Sequence, residues 1–183
     1  GKGEWGGRRG EGGKGEHRAG SDTALYHALS QPNRLGEGNG EYPLMERSGE
    51  VGVADGDRYT VFSLWDTYRN VHQLLTLVYP ERQVEMVRSM IDIYREWGWM
   101  PRWELYGRET FTMEGDPAIP VIVDTWMKGL RDFDIATAYE GFRKSATTPG
   151  AQNLLRPDID PYIERGYIPL GYFDPDLAGA VPP

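Results

Sequence analysis

The chain has 183 residues with a formal net charge of −8, 39% hydrophobic and 12% aromatic side chains, six Trp, eleven Tyr and no Cys. That length and apolar content suit one ordinary domain with a core, and the acidic balance argues against a nucleic-acid surface, whose affinity comes mostly from Lys and Arg neutralising phosphates. Without cysteine there is no disulfide, thiol nucleophile or zinc–thiolate site, and no apolar run reaches the roughly 18 residues of a membrane span or opens the chain as a signal peptide.

Residues 1–21 read as a tail set apart from the rest. Nine of the first twenty are Gly and eight are charged, with Trp5 the only large apolar side chain. Such a stretch cannot bury enough surface to offset its ordering entropy, and is expected to be disordered, or an artificial or mistranslated end. Its glycines match no phosphate loop, since no apolar strand precedes them.

Residues 22–183 are expected to hold the folded part. Asp22 is placed to cap a short helix over 23–30, which Pro32 ends. Residues 33–58, rich in Gly, Asn, Glu and Asp, read as a long irregular loop, and 59–64 as extended. Helical periodicity sets in near Thr67, with Val71, Leu74, Leu75 and Val78 on one face. Pro80 and Glu81 open the next helix, whose apolar positions Val84, Val87, Met90, Ile91 and Tyr94 recur as far as Gly98. A tryptophan-rich loop, Trp97-Gly-Trp-Met-Pro-Arg-Trp103, and a Gly115-Asp-Pro-Ala-Ile-Pro120 turn precede a helix over about 120–130, with Val121, Val123, Trp126 and Leu130 as core. Asp134 caps another helix to about Thr147, and the Pro- and Gly-rich end from Pro157 holds a helical turn or two. This order predicts a mostly all-α fold of antiparallel helix pairs joined by long aromatic loops: a bundle, a solenoid or an α/α toroid. The lack of a fixed repeat period speaks against a regular solenoid.

The densest chemistry lies in Tyr59-Thr-Val-Phe-Ser-Leu-Trp-Asp-Thr-Tyr-Arg69, which brings Trp65, Asp66 and Arg69 within five residues. An aromatic face beside a carboxylate and a guanidinium is a common way to hold a sugar, the ring lying on the C–H face and the charged groups bonding vicinal hydroxyls. A buried ion pair under an aromatic ring is the other reading. Trp99 and Trp103 suit either stacking on sugar or anchoring a loop, and Asp116 in its Gly-Asp-Pro turn suits a cap on its own backbone. Glu96, Glu104 and Glu114 flank Trp and Gly without a partner at defined spacing and read as solvated acids. His27 reads as structural. Asp158, Asp160 and Glu164 lack the Gly and the spacing of an EF-hand loop, so no calcium loop is assigned there.

Several motifs in order resemble glycoside hydrolase family 92: Thr23-Ala-Leu-Tyr-His27, Asn39-Gly-Glu-Tyr42 with Glu41, residues 59–69, Leu74-Leu-Thr-Leu77, Pro80-Glu-Arg82 and Gly98-Trp-Met-Pro-Arg-Trp103. Gly115-Asp-Pro-Ala118, residues 121–134 and Ala138-Tyr-Glu140 continue the series, so the resemblance runs from about residue 22 to Gly166-Tyr-Ile-Pro169. It implies an exo-acting, inverting and calcium-dependent α-mannosidase built from a β-sandwich and a catalytic (α/α)6 toroid. The expected linkage is α-1,2 and the expected setting extracellular or periplasmic. In such an enzyme calcium binds sugar hydroxyls, and an acid and a base stand roughly 6.5–9.5 Å apart to admit water. By resemblance Asp66 binds the terminal mannose, with Trp65, Arg69, Asp116, Trp99 and Trp103 in support. The family's Gly-Asn-Glu-Pro-type acid motif and Gly-Asn-Asp-Asp-type base motif are not found here, residues 1–20 match nothing in it, and Gln73 follows His72 where Pro is usual. The expectation is the first part of a toroid, inactive and aggregation-prone in isolation, with the rest of its own domain as partner. The reading from a different class is a non-catalytic α-helical carbohydrate-binding or scaffold module.

Overall fold

The computed structural model describes residues 15–169, and they fall into two units divided after Gln31. The first holds helix α1 (Gly15–Ala28). Asp22 therefore sits inside a helix and not at its start, and Thr23 Oγ1 donates one turn back to the Ala19 carbonyl at 2.8 Å. Of the expected tail, residues 1–14 lie outside the described residues, and helix begins at Gly15.

The second unit opens with five short strands: β1 (Asn33–Leu35), β2 (Glu41–Pro43), β3 (Val51–Val53), β4 (Arg58–Thr60) and β5 (Phe62–Ser63). β1 pairs antiparallel with β4, Leu35 opposite Arg58, and encloses the β2–β3 hairpin, in which Tyr42 faces Gly52. The irregular loop expected over 33–58 is thus two ladders. Three-residue strands are too short to show a period-two pattern, so nothing in the sequence marks them against the polar background.

Helices α2 (Leu64–Thr67), α3 (Val71–Val78) and α4 (Pro80–Trp97) follow, then β6 (Trp103–Leu105), β7 (Arg108–Glu109), α5 (Ala118–Met127), α6 (Ile135–Thr147), a 3-10 turn (Gly150–Gln152) and α7 (Ile159–Arg165). β6 lies between β5 and β7, antiparallel to both. Among the described residues, seven helices agree with the mostly helical reading, and seven short strands add to it. No described helix is long and apolar enough to cross a membrane.

α4 is the spine of this unit, packed against β4, α3, α5 and α6. Pro80 starts it, where a missing N–H costs nothing. Gly98 stops it in the left-handed region (φ 90°), its N–H closing on the Tyr94 carbonyl at 2.7 Å. Val84, Val87, Met90, Ile91 and Tyr94 are all buried, as their spacing predicts, and each buried aliphatic chain contributes about 1.5–3 kcal/mol. Asp134 caps α6, accepting from the Thr137 N–H at 3.1 Å, and the Thr137 bonds hold its carboxyl down at about 2.

The expected cores of α3 and α5 are only partly covered. Leu75, Val121 and Ile122 are buried, but Val78 and Val123 are 45% and 41% exposed, with Leu77 and Met127 more open still. Trp126 and Leu130 are half-buried. The periodicity is right, but no described element lies over that side of the two helices.

Candidate functional site

The segment carrying Trp65 and Asp66 leaves β4 through a sharp corner at Val61, which adopts φ 61°. A β-branched residue is strained there and persists only where its surroundings fix it. Glu104 supplies that fixing. Its carboxylate, 1% exposed, accepts from the Val61 N–H at 3.1 Å, the Thr60 hydroxyl at 2.8 Å and the Gly107 N–H at 2.6 Å. Burial pushes its carboxyl above the usual range, against those hydrogen bonds. The reading of Glu104 as a solvated acid is overturned: three donors stabilise a charge that water would otherwise hold.

Past the corner, β5 runs beside β6 with Ser63 opposite Trp103 and Phe62 opposite Glu104, and the Leu64 N–H reaches the Arg102 carbonyl at 3.3 Å. The Ser63 hydroxyl donates to Asp66 Oδ2. Asp66 is exposed, Trp65 half-buried, and Arg69 exposed with its guanidinium 4.8 Å from the centre of the Trp65 ring. Asp66 and Arg69 make no ion pair with each other, so the alternative of a buried salt bridge under an aromatic does not describe them. β5–β6 pairing brings half-buried Trp103 to the same short sheet.

Asp116 and Trp99 lie elsewhere in the unit. Asp116 Oδ2 accepts from the Ser145 hydroxyl on α6, while Oδ1 is buried with no partner. Burial raises its carboxyl, opposed by the Ser145 bond and the charges of Arg156 and Arg102. Its side chain therefore ties the turn to α6 instead of capping its own backbone. Trp99 is buried, with the Lys144 ammonium 4.5 Å over its ring.

The other acids divide. Glu96, expected to be solvated, accepts from the Tyr42 hydroxyl at 2.8 Å, the Met45 N–H at 2.9 Å and Arg58 at 3.2 Å. Burial, helped by the bond to Glu96, pushes the Tyr42 hydroxyl up to about 12. Glu114 is exposed, Asp158 pairs with Arg156, and Asp160 accepts from the Gly150 N–H. Glu41 is exposed on β2, Glu164 is exposed on α7, and His27 is exposed on α1 in the other unit.

Two groups escaped the sequence reading. Glu109 is buried and accepts from the N–H groups of Arg102, Trp103 and Phe111, fixing the C-terminal end of the tryptophan loop. Arg102 is 5% exposed and gives its guanidinium to the carbonyls of Gly115, Met113 and Leu155. The Tyr106-Gly107 pair, both at positive φ, marks the β6–β7 hairpin and was the available signal for Glu104 and Glu109. A cavity of about 380 Å³ runs along α6, lined by Tyr94, Tyr139, Glu140, Arg143 and Lys144 among others, and none of the predicted sugar-binding residues lines it. Among the described residues no three His, Cys, Asp or Glu side chains are placed to hold a metal ion.

A family model described as the glycosyl hydrolase family 92 catalytic domain matches residues 11–180. The match therefore begins inside the stretch 1–20 that the motif comparison left out. A family GH92 α-mannosidase from Bacteroides thetaiotaomicron, in complex with mannoimidazole, is 34% identical with a TM-score of 0.64, over 68% of this chain and 17% of its own. A family GH92 inverting mannosidase from Bacteroides thetaiotaomicron VPI-5482 is 32% identical with a TM-score of 0.72, over 81% of this chain and 20% of its own. The chain thus spans a fifth or less of the length of these two relatives. No curated protein matches it.

Proposed function

Because the chain belongs to glycosyl hydrolase family 92, we propose that it supplies sugar-binding groups to an inverting glycosidase that removes terminal α-linked mannose from glycans. The observation that carries this reading is the exposed Asp66 carboxylate, anchored on Ser63 beside Trp65 and one strand from Trp103. One carboxylate oxygen is taken by Ser63, which leaves the other to accept from a sugar hydroxyl. Trp65 and Trp103 offer ring surface to the C–H face, and Arg69 supports the site from its stack on Trp65. Asp116 has a supporting role only, holding its turn to α6 through Ser145, and Trp99 supports its loop from beneath Lys144.

The acid and base are proposed to lie outside this chain, with α3–α6 serving as part of an (α/α)6 toroid completed by the rest of the domain. Calcium dependence is likewise a proposal for the whole enzyme. Its ligands are proposed, on the family resemblance, to lie mostly outside this chain. An α-1,2 linkage and an extracellular or periplasmic setting are proposed on the family resemblance. Calorimetric titration of the chain with mannose and an α-1,2-mannoside, with calcium and with chelator, tests the reading. Saturable binding that is lost in Asp66→Ala supports it. Absence of binding by a demonstrably folded chain overturns it for this chain.

A further inference from the structure

Helix α2 is too short to hold itself. It closes with the Tyr68 N–H on the Leu64 carbonyl at 2.9 Å, against an unfavourable nucleation. The hold on its C-terminal end comes from three other helices. Thr67 Oγ1 lies 3.1 Å from His72 Nε2 on α3, His72 Nδ1 lies 2.9 Å from Gln83 Oε1 on α4, and Gln83 Nε2 donates to Thr125 Oγ1 on α5 at 2.9 Å. The Thr125 hydroxyl ends the chain on the Val121 carbonyl at 2.7 Å. All four side chains are buried, His72 at 1% exposed and Gln83 and Thr125 at 0%.

The far end fixes every donor. A carbonyl only accepts, so the single Thr125 proton points at Val121 and its oxygen must accept from the Gln83 amide nitrogen. The Gln83 oxygen then faces His72 Nδ1, which carries the ring proton of the neutral imidazole. Nε2 is left as a bare acceptor facing the Thr67 hydroxyl. That hydroxyl has one proton and a competing acceptor, the Ser63 carbonyl at 3.2 Å; the demand of His72 decides where it points.

We propose that His72 is a positioning residue for Asp66: acting through Thr67, it pins α2 to the helical scaffold and so fixes the Asp66 carboxylate where a sugar hydroxyl meets it. The proposal rests on the sugar-binding reading of Asp66. His72 itself is too deeply buried to touch a ligand.

Thr67→Val removes the hydroxyl while keeping the side-chain shape, and Thr67→Ser restores it. In the full chain, the Tyr68 amide of Thr67→Val is expected to exchange with deuterium about tenfold faster, as loss of one buried hydrogen bond implies. Exchange at Met90 and Ile91 in the middle of α4 should not change, mannose affinity should fall by about tenfold, and Thr67→Ser should match the native chain in all three. Unchanged exchange at Tyr68 overturns the proposal, as does full mannose affinity despite faster exchange. If the native chain binds no mannose, the sugar reading fails separately, and exchange at Tyr68 still decides whether the His72 chain holds α2. Imidazole ¹⁵N shifts of the native chain give a measurement free of any folding defect: a protonated Nδ1 and a bare Nε2 are expected, and the opposite tautomer overturns the proposal.

Discussion

The helical region and the strand-and-loop region of the second unit are held together by different forces. Around α4, side chains at 3.6-residue spacing bury Val87, Met90, Ile91 and Ile93, and stability scales with apolar area removed from water. Around β4–β7 the groups at the centre are Glu96, Glu104 and Glu109, each gathering three donors: Glu96 from residues distant in sequence, Glu104 from both distant and neighbouring ones, and Glu109 from its own hairpin and the residues beside it. The first region is redundant, because many contacts share the work. The second depends on a few carboxylates, each of which fixes a chain direction. Trp65 and Asp66 stand where the two regions meet, with Glu104 anchoring the entry to α2 and His72 its exit.

The comparison breaks first at its apolar side. Ile91→Ala should cost about 2–5 kcal/mol in denaturant unfolding; a loss under about 1 kcal/mol would mean that α4 is not the spine.

Acid should weaken the helical region next, through His72. Burial lowers its imidazole from 6.5 to about 4, with the Gln83 bond opposing. The unfolded chain therefore binds the extra proton first, so the stabilisation is present above about pH 6.5 and lost as pH falls toward 4. The full span amounts to about 3 kcal/mol. Stability followed against pH should show this loss, and the loss should vanish in His72→Asn.

Glu104→Gln probes the other region and should cost about 1–3 kcal/mol, since an amide NH₂ would confront backbone donors. Its pH effect has the opposite sign. A buried carboxyl raised in the folded state favours folding when protonated, so the native chain loses stability as pH rises from the ordinary carboxyl range through its raised one, and the variant does not. A variant with native stability and intact mannose binding would show that the Val61 corner needs no anchor.

The smallest effect belongs to Asp66→Ala. An exposed side chain should leave the unfolding free energy within about 0.5 kcal/mol of native, which separates its proposed binding role from any structural one.

The legibility of these regions in the sequence follows the same division. Pro80, Gly98 and five apolar positions specify α4 with correct boundaries, and Asp134 specifies the start of α6, because helices announce themselves over many residues. Strands of two or three residues carry no such pattern. Glu96 and Glu104 look like solvated charges until the hairpins fold donors around them. Asp22 has the chemistry of a cap, yet lies inside a helix that begins seven residues earlier. Val78 and Val123 obey the helical period but face a side that no described element covers. The Trp65–Asp66–Arg69 cluster was found by residue type; the anchors that aim it came only with the structure.

The stacking of Arg69 on Trp65 makes that ring an occupied seat. The guanidinium lies 4.8 Å from the indole and 5.0 Å from the Tyr68 ring, a contact worth about 0.5–1 kcal/mol at an exposed site. A sugar that takes the same face must displace the cation, while one that takes the other face leaves it in place. On the face that Arg69 covers, occupancy is therefore a competition between tenants, and a heat of binding measured there reports the difference between two stacked partners rather than the strength of either.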